Sequence, residues 1–136
     1  MSYTMDAQVD GEFDSVVDRT TEALSEEGFG VLCDIDVQRT FAKKLDLDEQ
    51  YRRYRILGAC NPSLAHDALE AEPRLGALLP CNVVVYETDD GAVGVSAVDP
   101  TVLLGVVDND DLDAIASDVR DRFERVLESL SAATAE

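Results

Sequence analysis

The sequence predicts an α+β fold in which an antiparallel sheet carries helices on one face. Three observations support this prediction. The chain ends in a long amphipathic helical pattern, several β-rich segments precede it, and Asp90-Gly91 marks a hairpin between two of them. The chain of 136 residues suits one domain, 1–136, with one core. The predicted order of elements is β-α-β-(α)-β-α-β-β-α.

The first two elements are a short strand over 3–9 and a helix over 12–27. From Phe13 to Leu24, apolar side chains recur at helical spacing and form one stripe. Gly28 follows at the position where a left-handed helix end is expected. This segment is therefore the shorter N-terminal helix that packs on the sheet.

The next segment, 29–37, alternates apolar and acidic side chains and predicts a half-buried strand. The alternation places Cys33 on the core face, where a free thiol packs as a small hydrophobe. A short helix over 38–45 and a polar loop over 46–50 follow.

The middle of the chain predicts a strand at 51–60 followed by a helix at 62–71. Asn61 is a favourable N-cap, and Pro62 fits the first helical position. Pro73 then interrupts the helix.

The second half predicts a hairpin and a long helix. The strands are 81–87, which is rich in valine, and 92–99, and an apolar connector follows at 101–107. The last helix has one apolar stripe over five turns, made by Leu112, Ile115, Ala116, Val119, Phe123, Val126, Leu127 and Leu130. This long C-terminal helix is expected to lie on the sheet.

The charge of the chain excludes some partners. Acidic residues number 29 and basic residues 11, for a formal net charge of −18, and the acids are spread along the chain. Such a surface repels nucleic acid and anionic membranes, so neither is an expected partner. A dispersed acidic surface poor in lysine is typical of halophilic archaea, with an ordinary acidic protein as the alternative. The N-terminal segment lacks a basic region followed by an apolar run, which predicts a cytoplasmic location.

The candidate site is built around the dipeptide Cys-Asn, which occurs at Cys60-Asn61 and again at Cys81-Asn82. Cys60 precedes a helix N-terminus, where the helix dipole favours thiolate. If the two strands are antiparallel neighbours, Cys60 and Cys81 come close, and the only histidine, His66, lies one turn into the helix. The thiols and His66 are then candidate ligands for zinc or copper. Two other interpretations remain open: a reactive thiol at Cys60, or packed cysteines beside a capping asparagine.

Three segments resemble the family called domain of unknown function 302. They read ACNPSLAHDAL at 59–69, GALLPCNVVV at 76–85 and VSAVDP at 95–100. The resemblance implies a TATA-binding-protein-like α+β fold and a homodimer, but no activity. Its motif residues here are Cys60, Asn61, Pro62, His66, Pro80, Cys81, Asn82, Asp99 and Pro100.

Three functions are compatible with these patterns. The favoured one is a module that binds a small ligand or a metal, with candidate residues Cys60, Asn61, His66, Cys81, Asn82 and Asp99. The first alternative is a thiol-dependent enzyme of sulfur transfer or redox chemistry. The second is a dimeric interaction protein without chemistry. The sequence has no phosphate-binding glycine motif and no H-E-x-x-H, so nucleotide and zinc-protease chemistry lack support.

Overall fold

The computed structural model describes residues 2–46 and 51–134, and within them five strands form one antiparallel sheet. The strands are β1 (Thr4–Val9), β2 (Gly30–Asp36), β3 (Tyr54–Cys60), β4 (Cys81–Glu87) and β5 (Val93–Val98). Their order across the sheet is β1-β5-β4-β3-β2, so β1 and β2 are the edge strands.

The helices confirm the predicted α+β class, with a long C-terminal helix and a shorter N-terminal one. They are α1 (Phe13–Glu26), α2 (Val37–Leu45), α3 (Pro62–Ala71), α4 (Pro100–Leu103) and α5 (Asp113–Thr134). Short 3₁₀ segments span Pro73–Leu78, Leu104–Val106 and Asp110–Leu112. The polar loop predicted after α2 falls mostly on residues 47–50, which lie outside the described residues. None of the helices in the described ranges has the length and apolar character needed to cross a bilayer.

The core lies between one face of the sheet and the helices α1 and α5. Val83 and Val85 project into it from β4, and the predicted stripe of α5 faces them. Phe123 is fully buried at the centre, with its ring centroid 4.9 Å from that of Phe29. The helical periodicity thus identified the buried face of α5 correctly.

The prediction that Cys33 faces the core is wrong. A β-bulge shifts the register of β2 between Val31 and Cys33, so Val31 pairs with Ala59 and Cys33 pairs with Gly58. Ala59 is buried in the core, and the following pair therefore faces the opposite side of the sheet. Cys33 is exposed there.

The apolar connector at 101–107 is mostly packed. It forms α4 and a 3₁₀ turn, and Leu104 is buried in a second, smaller core cluster with α3 and α5. Val106 is the exception, with 74% of its surface exposed.

Candidate functional site

Cys60 and Asn61 lie where β3 ends and α3 begins. The Asn61 side chain accepts a hydrogen bond from the backbone N–H of Leu64 at 3.2 Å, and Pro62 occupies the first helical position. Asn61 therefore caps the helix as predicted. The extended backbone of Asn61 lets the chain turn sharply from the sheet into the helix.

Cys81 begins β4 and lies directly beside the end of β3, because its pairing partner is Ala59. The neighbouring strands therefore bring Cys60 and Cys81 into one small region. Cys81 is buried with 8% of its surface exposed, whereas Cys60 is half-buried. Burial, together with the nearby Cys60 thiol, raises the pKa of Cys81 from 9.0 to about 11. Its thiol is protonated at neutral pH.

Both cysteines line a partly open apolar cavity of about 50 Å³. The end of the sheet forms one wall, and α3 contributes Leu64, Ala65 and Ala68. Leu75, Leu104 and Ile115 close the other sides. Apart from the two thiols and Asn61, the lining side chains are apolar. We call this space the cysteine cavity. Its volume exceeds the roughly 10–15 Å³ that one water needs, but its lining offers few polar partners.

The three motif segments meet at the cysteine cavity although they are distant in sequence. Cys60 comes from the first, Pro80 and Cys81 from the second, and Pro100 from the third. The Leu79–Pro80 peptide bond is cis. The ring of Pro80 packs over Gly58, where a side-chain Cβ would lie 2.8 Å from Pro80 Cγ.

His66 does not join the two cysteines. Its side chain is 73% exposed on α3, and its ring nitrogens lie 3.7 Å from the carboxylates of Asp67 and Glu70. Within the described ranges, no three or more His, Cys, Asp or Glu side chains are grouped so that they share a metal ion. The predicted zinc or copper ligand set of Cys60, Cys81 and His66 is therefore not assembled.

Asn82 lies on the opposite side of the sheet from Cys81. Successive residues of a strand face opposite sides, so the burial of Cys81 in the core directs Asn82 outward. There Asn82 is exposed and pairs across the strands with Gly58. The two Cys-Asn pairs are thus not equivalent: Asn61 borders the cavity and Asn82 does not.

Asp99 accepts hydrogen bonds from Thr101 and Arg120. It caps α4 by accepting hydrogen bonds from the Thr101 N–H at 3.0 Å and the Thr101 hydroxyl at 2.6 Å. Arg120 donates to its other carboxylate oxygen at 3.3 Å. Burial alone would raise the pKa of Asp99, but these hydrogen bonds outweigh it, and the pKa lies below 3.8. Asp99 is therefore a charged cap next to the cavity residue Pro100.

Sequence reasoning missed the residues that close the cysteine cavity. Leu75 belongs to a 3₁₀ segment that lacks a clear period, and Ile115 lies on the stripe of α5 that was assigned only to the core. The one available signal was the apolar character of 101–107, which contributes Leu104.

The comparisons agree with the resemblance seen in the motifs. Residues 5–130 match the family described as Domain of unknown function DUF302. The chain belongs to this family. A crystal structure of an uncharacterized conserved DUF302 protein from Bacillus stearothermophilus is similar to it, with 30% identity and a TM-score of 0.88. The similarity covers 96% of this chain and 99% of the Bacillus chain. No match was found among the curated proteins. The three segments that carry the resemblance, 59–69, 76–85 and 95–100, lie within the matched region and meet at the cysteine cavity.

Proposed function

We propose that this DUF302 protein is a binding module for a small, mostly apolar ligand held in the cysteine cavity. The observation that carries the proposal is the convergence of three distant motif segments on one small apolar cavity. Concave, mostly apolar spaces with a few convergent polar groups are the usual form of small-molecule sites. Here the polar groups are Asn61 and the thiols of Cys60 and Cys81.

A metal is a less suitable occupant than an apolar molecule. Of the three predicted ligands, only Cys60 and Cys81 line the cavity. His66, the third predicted ligand, is 73% exposed on α3 and does not line the cavity. The cavity walls are hydrocarbon, which stabilises an uncharged occupant and penalises a charged one.

The raised pKa of Cys81 argues against the alternative of a thiol-dependent enzyme. A nucleophilic cysteine needs a lowered pKa or an adjacent base. Burial acts in the opposite direction on Cys81. Binding without covalent chemistry is therefore the better-supported function of this site.

The test is the binding of xenon, monitored by amide chemical shifts. We expect saturable shifts confined to the start of α3, the end of β3 and the start of β4. Ala65→Leu places a larger side chain into the cavity and should abolish the shifts. Ser63→Leu adds the same side chain at an exposed position of the same helix and is the matched control. Shifts that survive Ala65→Leu, or that are absent from the wild type, would refute the proposal.

We also propose that the protein forms a homodimer through the edge strand β2. Edge strands present unpaired backbone groups that a second chain can pair with. On β2, Leu32 is 70% exposed and Ile35 is 45% exposed. These apolar side chains beside a free edge favour pairing of two copies. The connector at 101–107 is also apolar in sequence, but it contributes less because only Val106 is strongly exposed.

Light scattering in high salt tests the homodimer, because salt screens repulsion between two highly acidic chains. We expect a mass of two chains for the wild type and of one chain for Leu32→Lys. Val106→Lys, at an equally exposed apolar residue away from β2, should remain dimeric. A monomeric wild type at high micromolar concentration would remove the claim.

A further inference from the structure

All four tyrosines of the chain gather on one groove. The sequence contains four tyrosines and no tryptophan. Tyr3, Tyr51, Tyr54 and Tyr86 line an open groove of about 460 Å³ on the face of the sheet opposite to α1 and α5. We call it the tyrosine groove. Its volume lies within the range of about 300–1,000 Å³ that small-molecule sites occupy.

Strand register explains why the rings meet. Tyr54 pairs with Tyr86 across β3 and β4, and Tyr86 pairs with Gly94 across β4 and β5. The rings of Tyr54 and Tyr86 stack with centroids 5.7 Å apart. Burial first, and then the hydroxyl groups of Tyr51, Tyr86 and Tyr3, raise the pKa of Tyr54.

Gly94 fixes the position of this aromatic wall. A Cβ at Gly94 would lie 2.8 Å from Cζ of Tyr86, so the ring covers the glycine directly. The absence of a side chain at Gly94 lets the Tyr86 ring lie against the sheet. The Tyr86 ring is therefore held in place before any ligand arrives, which lowers the entropic cost of binding.

The next row of residues across the sheet forms the floor of the tyrosine groove, and two of its three residues are polar. Asp6, Ser96 and Val84 lie side by side across β1, β5 and β4. The Ser96 hydroxyl is almost buried and donates to Asp6 Oδ1 at 2.6 Å. Asp6 Oδ2 accepts from the Thr4 hydroxyl at 3.3 Å. These bonds orient the carboxylate on the floor of the groove, and each of its oxygens retains capacity to accept.

The charge of the groove selects the class of ligand. Asp6 contributes a negative charge. The guanidinium of Arg52 donates a hydrogen bond to the Glu87 carbonyl and forms an ion pair with the Asp89 carboxylate, and the latter contact is 2.7 Å long. The whole chain carries a net charge of −18, which attracts cations and repels anions. Tyrosine ring faces attract cations, and clustered aromatic rings are the common receptor for quaternary ammonium groups.

We propose that the tyrosine groove binds a small organic cation that carries a quaternary ammonium group. The ammonium methyl groups pack on the faces of Tyr54 and Tyr86, and the carboxylate of Asp6 balances the charge. The proposal is independent of the cysteine cavity, because the two spaces lie on opposite faces of the sheet and share no lining residue.

Choline and 3,3-dimethyl-1-butanol provide the first test. The alcohol has the shape of choline without its charge. Because the chain has no tryptophan and its four tyrosines all line the groove, intrinsic fluorescence reports on this site directly. Choline chloride replaces sodium chloride at constant ionic strength, so that diffuse screening stays equal. We expect a saturable fluorescence change with choline and at least about fivefold weaker binding of the alcohol, as for loss of a cation–π contact. Equal binding of both compounds, or no saturable change, would overturn the proposal.

Matched variants provide the second test. Asp6→Asn removes the groove charge and should weaken choline binding about fivefold, the effect expected of one partly screened charge. Asp10→Asn removes one charge from an exposed position outside the groove and should leave binding unchanged. Tyr86→Phe keeps the ring and should retain binding, whereas Tyr86→Leu should lose it. If Asp6→Asn and Asp10→Asn behave alike, the attraction is diffuse and the site does not exist.

Discussion

The three cysteines occupy three different environments, and their accessibility differs accordingly. Cys33 is exposed on the edge strand β2, Cys60 is half-buried at the end of β3, and Cys81 is buried at the start of β4. Alkylation should therefore reach Cys33 first and Cys81 last. This order reverses the expectation from sequence, in which Cys33 was the core thiol.

Mass spectrometry of the native protein after timed exposure to iodoacetamide measures this order. At near-neutral pH, Cys81 should stay largely unmodified, because its thiol is both buried and protonated. Denatured protein, in which all three thiols react, is the control. Modification of Cys81 as fast as Cys33 would contradict the burial of Cys81.

The raised pKa of Cys81 also predicts a pH effect on stability. The thiol ionises at about 11 in the folded protein but near its ordinary 9.0 when unfolded. Its contribution to the free energy of unfolding is therefore complete below pH 9 and declines as pH rises from 9 to 11, because the unfolded state releases the proton first. Denaturant titrations of the wild type and of Cys81→Ala test this. The difference in free energy of unfolding between the wild type and Cys81→Ala should narrow from pH 9 to pH 11. A constant difference would refute the raised pKa of Cys81.

Gly58 is a second residue whose environment restricts its identity. A Cβ there would lie 2.5 Å from Cys33 Sγ and 2.8 Å from Pro80 Cγ. The Cys33 thiol can rotate away, but the proline ring cannot, so Gly58→Ala should cost about 1–3 kcal/mol as an overpacked site. Gly30→Ala is the matched control, since nothing lies within 4 Å of its Cβ and its effect should stay within about 0.5 kcal/mol. Equal midpoints of denaturation for both variants would show that the ring moves freely.

At the scale of elements, α5 carries the largest share of the buried apolar stripe. Phe123 is fully buried and packs on Phe29, so Phe123→Ala should cost about 3–5 kcal/mol. Arg125→Ala on the opposite face removes a half-exposed ion pair with Glu27 and should cost about 0–1 kcal/mol. Urea denaturation measures both. A loss below about 1 kcal/mol for Phe123→Ala would mean that the helix does not bury this side chain.

The elements differ in how far the sequence predicts them. The hairpin of β4 and β5 and the face of α5 follow from turn chemistry and long periodicity, and both are confirmed. The orientation of Cys33 was not predictable from alternation, because one bulge at Leu32 inverts every later face of the strand.

The candidate site was predictable in part. Two cysteines at the ends of neighbouring strands meet because those strands pair antiparallel, as the sequence suggested. The outward position of Asn82 follows from the same alternation that buries Cys81. The tyrosine groove could not be predicted from the sequence, because it depends on which strands become neighbours across the sheet. Sequence patterns define faces of single strands, whereas strand order is set by the packing of the whole core.

At the scale of the whole molecule, the balance of charge dominates. Acids outnumber bases by 29 to 11, so even full pairing of every base leaves a large excess of negative charge. Among the ion pairs of the described residues, Arg122–Asp118 and Arg125–Glu27 join α5 to itself and to the end of α1. Salt weakens such attractive pairs, but it also screens the more numerous repulsions between unpaired acids.

The repulsions should win, so stability should rise with salt. Compaction of the chain brings like charges together, and the screening length falls from about 10 Å at 0.1 M to about 3 Å at 1 M salt. We expect most of the gain in melting temperature below about 1 M potassium chloride, where screening changes most. Sucrose, which stabilises by exclusion and does not screen, is the control: it should raise the melting temperature steadily and without this early steep phase. A melting temperature that stays flat from low to molar potassium chloride would show that the acidic surface does not limit folding, and would remove the main physical support for a high-salt habitat.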